Sequence, residues 1–450
     1  MKETIHIYHT NDLHSHFEHW SRIREFLKKR KQWHLDEGEP VYLFDIGDHV
    51  DRWHPLSEAT LGKGNVDFLN EVGYDAVTIG NNEGITLDYV DLNSLYHHAD
   101  FHVIVGNLLD QSSKLPSWAK AHHIYQTDSG MKIGVIGLTA YFKPFYKALG
   151  WNITSPLDEL EKLVQELHPQ VDMVILLSHL GIRDDELIAA QFPEIDVILG
   201  AHTHHVLHQG KEIKKTMLGA AGKYGHYVGH MMIEVDTANK KIVGKKAQLY
   251  EQQELPPVEK EEQESLEWYQ EGEALLGEKV TELAEPLAVD WFNPSPLPDV
   301  LCNAVAEWCE ADCAFLNSGL LIDGLEEGAV TKQDLHRILP HPINPCLIEM
   351  KGAELKEIIK QTFNEEWPHI QVKGLGFRGK VMGRFVYTNI QFNGHEILIG
   401  QKPIDPQKIY KLALPDMFTF GHFFPDLQRL EKKYFMPEFL RDVLQWKLKQ

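Results

Sequence analysis

Six short β-rich runs alternate with helical stretches between residue 4 and about residue 200, and this alternation restricts the fold more than any other feature of the chain. The runs read IHIYHT, VYLFDIGD, DAVTIGN, FHVIVGN, VDMVILLSH and IDVILGAH. After the first of them, FEHWSRIREFLKKRKQ places Phe17, Trp20, Ile23 and Phe26 or Leu27 at helical spacing. Strands alternating with amphipathic helices bury the helices' apolar stripes against a sheet, so a layered α/β domain is expected. From about 223 to 250 the texture changes to strands, YVGHMMIEVDTANKKIVGKKAQLYE, with TANK as the turn of a hairpin.

A chain of 450 residues is too long for one ordinary core, so a second domain is expected. The stretch EQQELPPVEKEEQESLEWYQEG, charged and opened by two prolines, reads as a linker running into a solvated helix. The expected division is a first domain over 1–250, a linker and inter-domain helix over 251–284, and a second domain over 285–450. The second domain opens with the amphipathic PDVLCNAVAEWCEA and closes with the helical DLQRLEKKYF and PEFLRDVLQWKLK.

A net charge of −22 excludes a general grip on a nucleic-acid polymer or an anionic membrane. It leaves a small phosphorylated substrate open, because bound cations reverse the local field. Cys302, Cys309, Cys313 and Cys346 show no CxxC spacing and read as buried structural thiols. The start, MKETIHIYHTND, runs straight into a strand, and no apolar run approaches the length of a membrane span, so a cytoplasmic location is expected.

What stands at each strand end carries the chemistry. Asp12 and His14 follow IYHTN, Asp48 follows VYLFDIG, Asn81 follows AVTIG, His179 follows VILLS, and His202 and His204 follow DVILG. Singly, an Asp or Asn there is an ordinary cap or turn residue, and the chain has 26 histidines. Together, five strand ends that each deliver a metal-ligating side chain point to one site, because ligands of open α/β sheets gather at the carboxyl ends of strands. A carboxylate has two oxygens, which suits Asp to a bridging position. Mixed N and O donors suit Mn, Fe, Zn or Co.

The ordered blocks DLHSH, GDHVD, GNNE, SHLG and GAHTHH resemble those of the calcineurin-like binuclear metallophosphoesterases. With a second domain present, the pattern is similar to the 5'-nucleotidase and UDP-sugar hydrolase branch. That resemblance implies a four-layered α/β sandwich of two mixed sheets flanked by helices, followed by a smaller α+β domain. It also implies two divalent metal ions, one held by Asp12, His14, Asp48 and His204, the other by Asp48, Asn81, His179 and His202, with Asp48 bridging. Two such ions about 3.5–4 Å apart polarise phosphoryl oxygens and acidify a bridging water, which would attack phosphorus in line with the leaving group. The implied activity is hydrolysis of phosphoesters of nucleotides, either 5'-monophosphates or nucleotide-linked pyrophosphates.

The family's loop typically reads Gly-Asn-His-Glu with an Asp a little further on, and here Asn82 and Ile85 stand at the His and Asp positions. Asn82 can donate an amide hydrogen bond to a phosphoryl oxygen but cannot deliver a proton. Its loss as an acid, typically worth about 10²- to 10⁴-fold, penalises an alkoxide leaving group more than a phosphate or aryl oxide. His226, His205 and His49 are the candidate replacements, His226 first.

In the second domain, FLNSGLLIDG resembles the start of the 5'-nucleotidase specificity domain, with Asn317 and Gly319 matching and Ile322 in place of an Arg. HIQVKGLGF and LPDMFTFGHFF resemble the blocks that supply the two aromatics of a base clamp, which puts His369 and Met417, with Phe418 beside it, at those places. A phosphodiesterase acting on cyclic nucleotides or other diesters, and a non-catalytic metal-bound sensor of a phosphorylated ligand, are the alternatives to this activity.

Overall fold

The computed structural model describes residues 2–394 and 396–450, in two compact units, 1–272 and 273–450. In the first, a seven-stranded sheet runs in the order Lys241–Glu251, Tyr227–Asp236, Lys2–Thr10, Val41–Asp45, Ala76–Val77, His102–Ile104, Ala119–Lys120. A six-stranded sheet has the order Lys211–Ile213, Thr216–Gly219, Val197–Gly200, Met173–His179, Lys132–Thr139, His122–Gln126. Both are mixed: Lys2–Thr10 is parallel to Val41–Asp45 and antiparallel to Tyr227–Asp236.

Period-two alternation assigns the faces. Ile133, Val135, Ile175, Leu177, Val197 and Leu199 of the six-stranded sheet meet Ile5, Ile7, Phe44, Met231 and Ile233 of the seven-stranded sheet in one core. The intervening Ile136, Leu138, Val174, Leu176 and Ile198 point the other way, onto Leu160, Leu163, Leu167 and Ile188. Those last residues lie on the helices Pro156–Leu167 and Ile182–Gln191. On the far side of the seven-stranded sheet the helix Trp20–Asp36 buries Trp20, Ile23, Phe26 and Leu27. Helix, sheet, sheet, helix is the four-layered sandwich expected. Strands read as near-continuous apolar runs, such as MVILLSH, because both of their faces are covered.

The TANK turn joins antiparallel strands, with Asp236 paired to Lys241. The charged stretch expected to link the domains folds otherwise in part. Glu261–Leu275 is a helix, and its acidic side chains hold the first unit: Ser21 Oγ donates to Glu264 at 2.6 Å, Arg24 pairs with Glu264 at 3.0 Å, and Arg22 with Glu261. Gly272 lies so close to the backbone of Pro55 and Leu56 that a Cβ would sit 2.7 Å from Leu56 Cα.

The second unit is α+β. Its five-stranded sheet has the order Phe385–Thr388, Cys313–Asn317, Ile409–Pro415, Pro345–Lys351, Lys432–Tyr434. The helices Pro296–Trp308, Gly352–Gln361 and Leu440–Leu448 pack against it. All four cysteines are buried and unpaired, and burial raises Cys302 and Cys309 to about 12, which makes them packing groups. Among the described residues, no helix is long and apolar enough to cross a membrane.

Candidate metal centre

Strand ends from both sheets of the first unit deliver the expected ligands to two neighbouring groups. Asp12, His14 and His204 form one, and Asp48, His179 and His202 the other, with ligand atoms inside each group within 4.8 Å of one another. His14 Nε2 lies 3.2 Å from His204 Nε2 and 3.8 Å from Asp12 Oδ1, and His204 Nε2 lies 3.5 Å from Asp12 Oδ1. Asp48 reaches both groups: its Oδ2 is 3.4 Å from His179 Nε2 and 3.8 Å from His14 Nε2. Asn81 opens the helix Asn81–Thr86, whose first turn abuts Asp48.

The backbone that carries these side chains is bent into an unusual shape. Asp12, His14, Asp48, His202 and His204 all have φ between 50° and 70°, the left-handed region that non-glycine residues seldom occupy. Such conformations cost of order 1–3 kcal/mol each and persist where the surroundings enforce them, as at functional sites. Two glycines make room. Gly47 has φ 85° and leaves no space for a Cβ against Ile79 and Gly80, and a Cβ on Gly80 would meet Asp48 Cγ at 2.6 Å.

Residues behind the ligands hold them in place. Glu83, buried, accepts the backbone N–H groups of Asp48, Val50 and Gly80 at 3.0, 2.9 and 2.8 Å and so pins the Asp48 loop. Asn11 donates to Asp12 Oδ2 at 2.8 Å. Asp51 Oδ2 lies 3.2 Å from His14 Nδ1, and Asn82 Nδ2 lies 2.8 Å from the same nitrogen, which leaves His14 Nε2 to face the group. Ligand-type reasoning passes over Glu83, Asn11 and Asp51 because they touch no ion position. The only sequence signal for two of them is their place in the GNNE and GDHVD blocks.

Asn82 therefore turns to a ligand's back side. It is 7% exposed, its N–H donates to Asp48 Oδ1 at 2.7 Å and its amide faces His14. The other candidates for proton transfer scatter. His49 is buried beside Trp20 and Asn65, and burial lowers it to about 3, so it stays neutral. His205 is exposed, with Nδ1 3.0 Å from Thr203 Oγ1. His226 is exposed against His19 and Tyr224, and Tyr224 in turn packs on His14.

The residues fit a divalent cation. Burial opposes charge at Asp48, yet the charges of His179 and His14 and the Asn82 N–H overcome it and hold its pKa below the ordinary range. Burial likewise opposes charge at His179, and Asp48 outweighs it, raising the imidazole to about 10. Clustered carboxylates of this kind favour any cation beside them. His179 Nε2 and Asn81 Oδ1 are both buried without a hydrogen-bond partner, an arrangement that ligation would satisfy.

In the second unit the expected substrate contacts divide. Met417 and Phe418 are both fully buried, Phe418 against Phe315, Phe385 and Phe424, so these two pack the core and cover no ligand ring. The sequence match had placed them at a clamp because their block aligns, but apolar side chains at the end of a central strand are drawn inward. Asn317, also buried, donates to Met382 O at 2.7 Å, and Gly319 lies where a Cβ would be 2.8 Å from Met382 C. His369 is exposed and stacks on Phe292 at 5.1 Å.

Comparison with known proteins agrees with this architecture. Residues 5–206 match the model of the calcineurin-like phosphoesterases, and residues 279–423 that of the 5'-nucleotidase C-terminal domain. The chain is 45% identical over 462 residues to the uncharacterized metallophosphoesterase YunD of Bacillus subtilis, covering 100% of both. It is 24% identical to a snake venom 5'-nucleotidase of Gloydius brevicauda, over 92% of this chain and 81% of that one. The NAD nucleotidase of Haemophilus influenzae shares the fold, with a TM-score of 0.68 at 16% identity, covering 100% of this chain and 96% of that one. A chain with this sandwich, these paired ligand groups and this second domain belongs to the calcineurin-like metallophosphoesterases that carry a 5'-nucleotidase C-terminal domain, and is a hydrolase.

Proposed function

We propose that the protein hydrolyses nucleotides, and nucleotide-linked pyrophosphates in preference to 5'-monophosphates, with two divalent ions of the Mn, Fe, Zn or Co class. The observation that supports a paired centre is Asp48, whose carboxylate reaches both ligand groups. Asp12, His14 and His204 would hold one ion and Asn81, His179 and His202 the other, with Asp48 shared. When bound, such ions polarise phosphoryl oxygens and lower the pKa of a coordinated water. The names of the relatives, 5'-nucleotidase and NAD nucleotidase, support a nucleotide substrate.

The preference for pyrophosphate links follows from Asn82. Its amide lies beside His14 Nδ1 and carries no acidic hydrogen, so it packs behind a ligand and supplies no proton to a leaving oxygen. A nucleoside monophosphate leaving group is stable as an anion, whereas the 5'-alkoxide of a nucleoside needs protonation. His226 only packs its ring against Tyr224, which packs on His14, and His369 with Phe292 is the remaining candidate for base contact in the second unit.

Phosphate and nucleotide release, with Mn added, would be measured over nucleoside monophosphates, dinucleotide and sugar-linked pyrophosphates, cyclic nucleotides and mono- and bis-aryl phosphates. Higher kcat/KM on pyrophosphate links is expected. Faster hydrolysis of monophosphates would refute the substrate order, and preference for bis-aryl esters and cyclic nucleotides would move the assignment to a diesterase. Asp48→Ala is expected to abolish turnover and reduce bound metal; unchanged activity in that variant would overturn the metal centre itself.

A further inference from the structure

A second cluster of metal-ligating side chains lies in the first unit, built from different elements. His6 on the strand Lys2–Thr10, His230 on Tyr227–Asp236 and His34 in the last turn of the helix Trp20–Asp36 are all buried. One ring nitrogen from each falls within 4.8 Å of the others. The pairing of the strands accounts for the approach. Tyr8 stands opposite His230 and His6 opposite Met232, so His6 and His230 are diagonal neighbours on the sheet face that the helix covers. His6 Nδ1 is 2.9 Å from His230 Nε2. Glu39 stands behind the cluster, its Oε2 lying 2.8 Å from His34 Nδ1 and 3.2 Å from His6 Nε2, the ring nitrogen opposite the one that meets His230.

We propose that His6, His34 and His230 form a structural site for one zinc-class divalent ion, separate from the paired centre, with Glu39 behind His34 as the partner that orients its ring. Three imidazoles are a donor set that suits zinc. Tetrahedral bonds of about 2.0–2.1 Å set donor atoms about 3.3 Å apart. His6 Nδ1 and His230 Nε2 already stand 2.9 Å apart, and the His34 ring, stacked on His6 with centroids 3.8 Å apart, would turn to aim a nitrogen at the same point. The last turn of a long helix presents carbonyl oxygens whose partial negative charge favours a cation beside His34. The outer nitrogen of His230 lies 3.4 Å from the Tyr250 hydroxyl, which can accept its N–H and so orient the ring. Glu39 is 38% exposed at its side chain, which leaves a path from solvent. An ion here would fasten the first helix to the two strands at the middle of the sheet.

The test is a metal count on the full-length protein. Wild type, His34→Gln and Glu39→Gln would be titrated with Zn²⁺ and with Co²⁺, passed through gel filtration and analysed for metal per chain. The cobalt samples would also be scanned for the visible bands of tetrahedral Co²⁺. Wild type is expected to hold one equivalent more than His34→Gln, and to lose thermal stability on removal of that equivalent, while phosphoester hydrolysis stays equal in the two. Glu39→Gln replaces a part-exposed carboxyl by its isostere and is expected to fold normally, with the extra equivalent bound at least about tenfold more weakly. Equal metal content and equal cobalt spectra in all three proteins would overturn the proposal and leave the cluster a hydrogen-bonded knot of imidazoles.

Discussion

At the scale of single residues, the candidate site depends on side chains that stand behind the two ligand groups. His14 has two ring nitrogens with separate duties: Nε2 faces Asp12, Asp48 and His204, and Nδ1 faces the Asp51 carboxylate, with the Asn82 amide packed beside it. Fixing one nitrogen selects the orientation of the other. Asn82→Ala is therefore expected to lower metal affinity by about 10- to 100-fold, with activity restored in large part by excess metal. Titrating kcat against metal concentration checks this, and a loss of kcat that no metal concentration restores would place Asn82 on the substrate instead. Glu83 offers a sharper case, because its carboxylate is the partner of three backbone N–H groups. Leaving buried donors unsatisfied costs about 1–3 kcal/mol each, so Glu83→Ala is expected to destabilise the first unit by at least about 3 kcal/mol, read as a lowered denaturation midpoint.

At the scale of elements, the helix Glu261–Leu275 shows how a charged segment is recruited to a folded unit. Its acidic first turn meets Arg22 and Arg24 on the helix Trp20–Asp36, and Gly272 lets its later turns approach Pro55 and Leu56. Exposed ion pairs contribute little alone, so the close backbone approach is the more specific determinant. Gly272→Ala forces a methyl into that contact and is expected to cost about 1–3 kcal/mol despite alanine's better helix propensity. Thermal unfolding of the variant would decide it: a raised Tm would mean that the helix packs less tightly here than its backbone distances require.

At the scale of the whole molecule, the two units titrate by different groups. In the second, Asp416 is buried, and burial raises its carboxyl to about 8, against the pull of backbone hydrogen bonds at Asn344 and Met417. The folded state then holds a proton that the unfolded chain releases near pH 4, so stability falls as pH rises between about 4 and 8, by at most about 1.4 kcal/mol per unit. Asp416→Asn is expected to flatten the decline in the second unit's transition over that window, measured by calorimetry at several pH values. A slope unchanged by the substitution would assign the decline to other groups.

The sequence by itself determined the layered α/β class and the hairpin at TANK, and it marked seven candidate ligand positions, because periodicity and strand-end chemistry are local properties of the chain. The DLH, GDH and AHTHH blocks could be read without coordinates since each ligand follows its strand by a few residues. The strand Lys132–Thr139, central to the six-stranded sheet, escaped notice because its glycines interrupt the apolar run; Gly134 and Gly137 are there to admit Leu167 and the Ile104 backbone. Only the tertiary structure decided which side chains face an ion and which face a ligand's far side. It also decided that Met417 and Phe418 belong to the core and that the acidic helix packs on Arg22 and Arg24. Only there do His6, His34 and His230, spread over 225 positions, come together. The physical reason is common to all of these. Direction and burial of a side chain are set by contacts between segments far apart in the chain, and a residue's own neighbours in sequence carry no record of them.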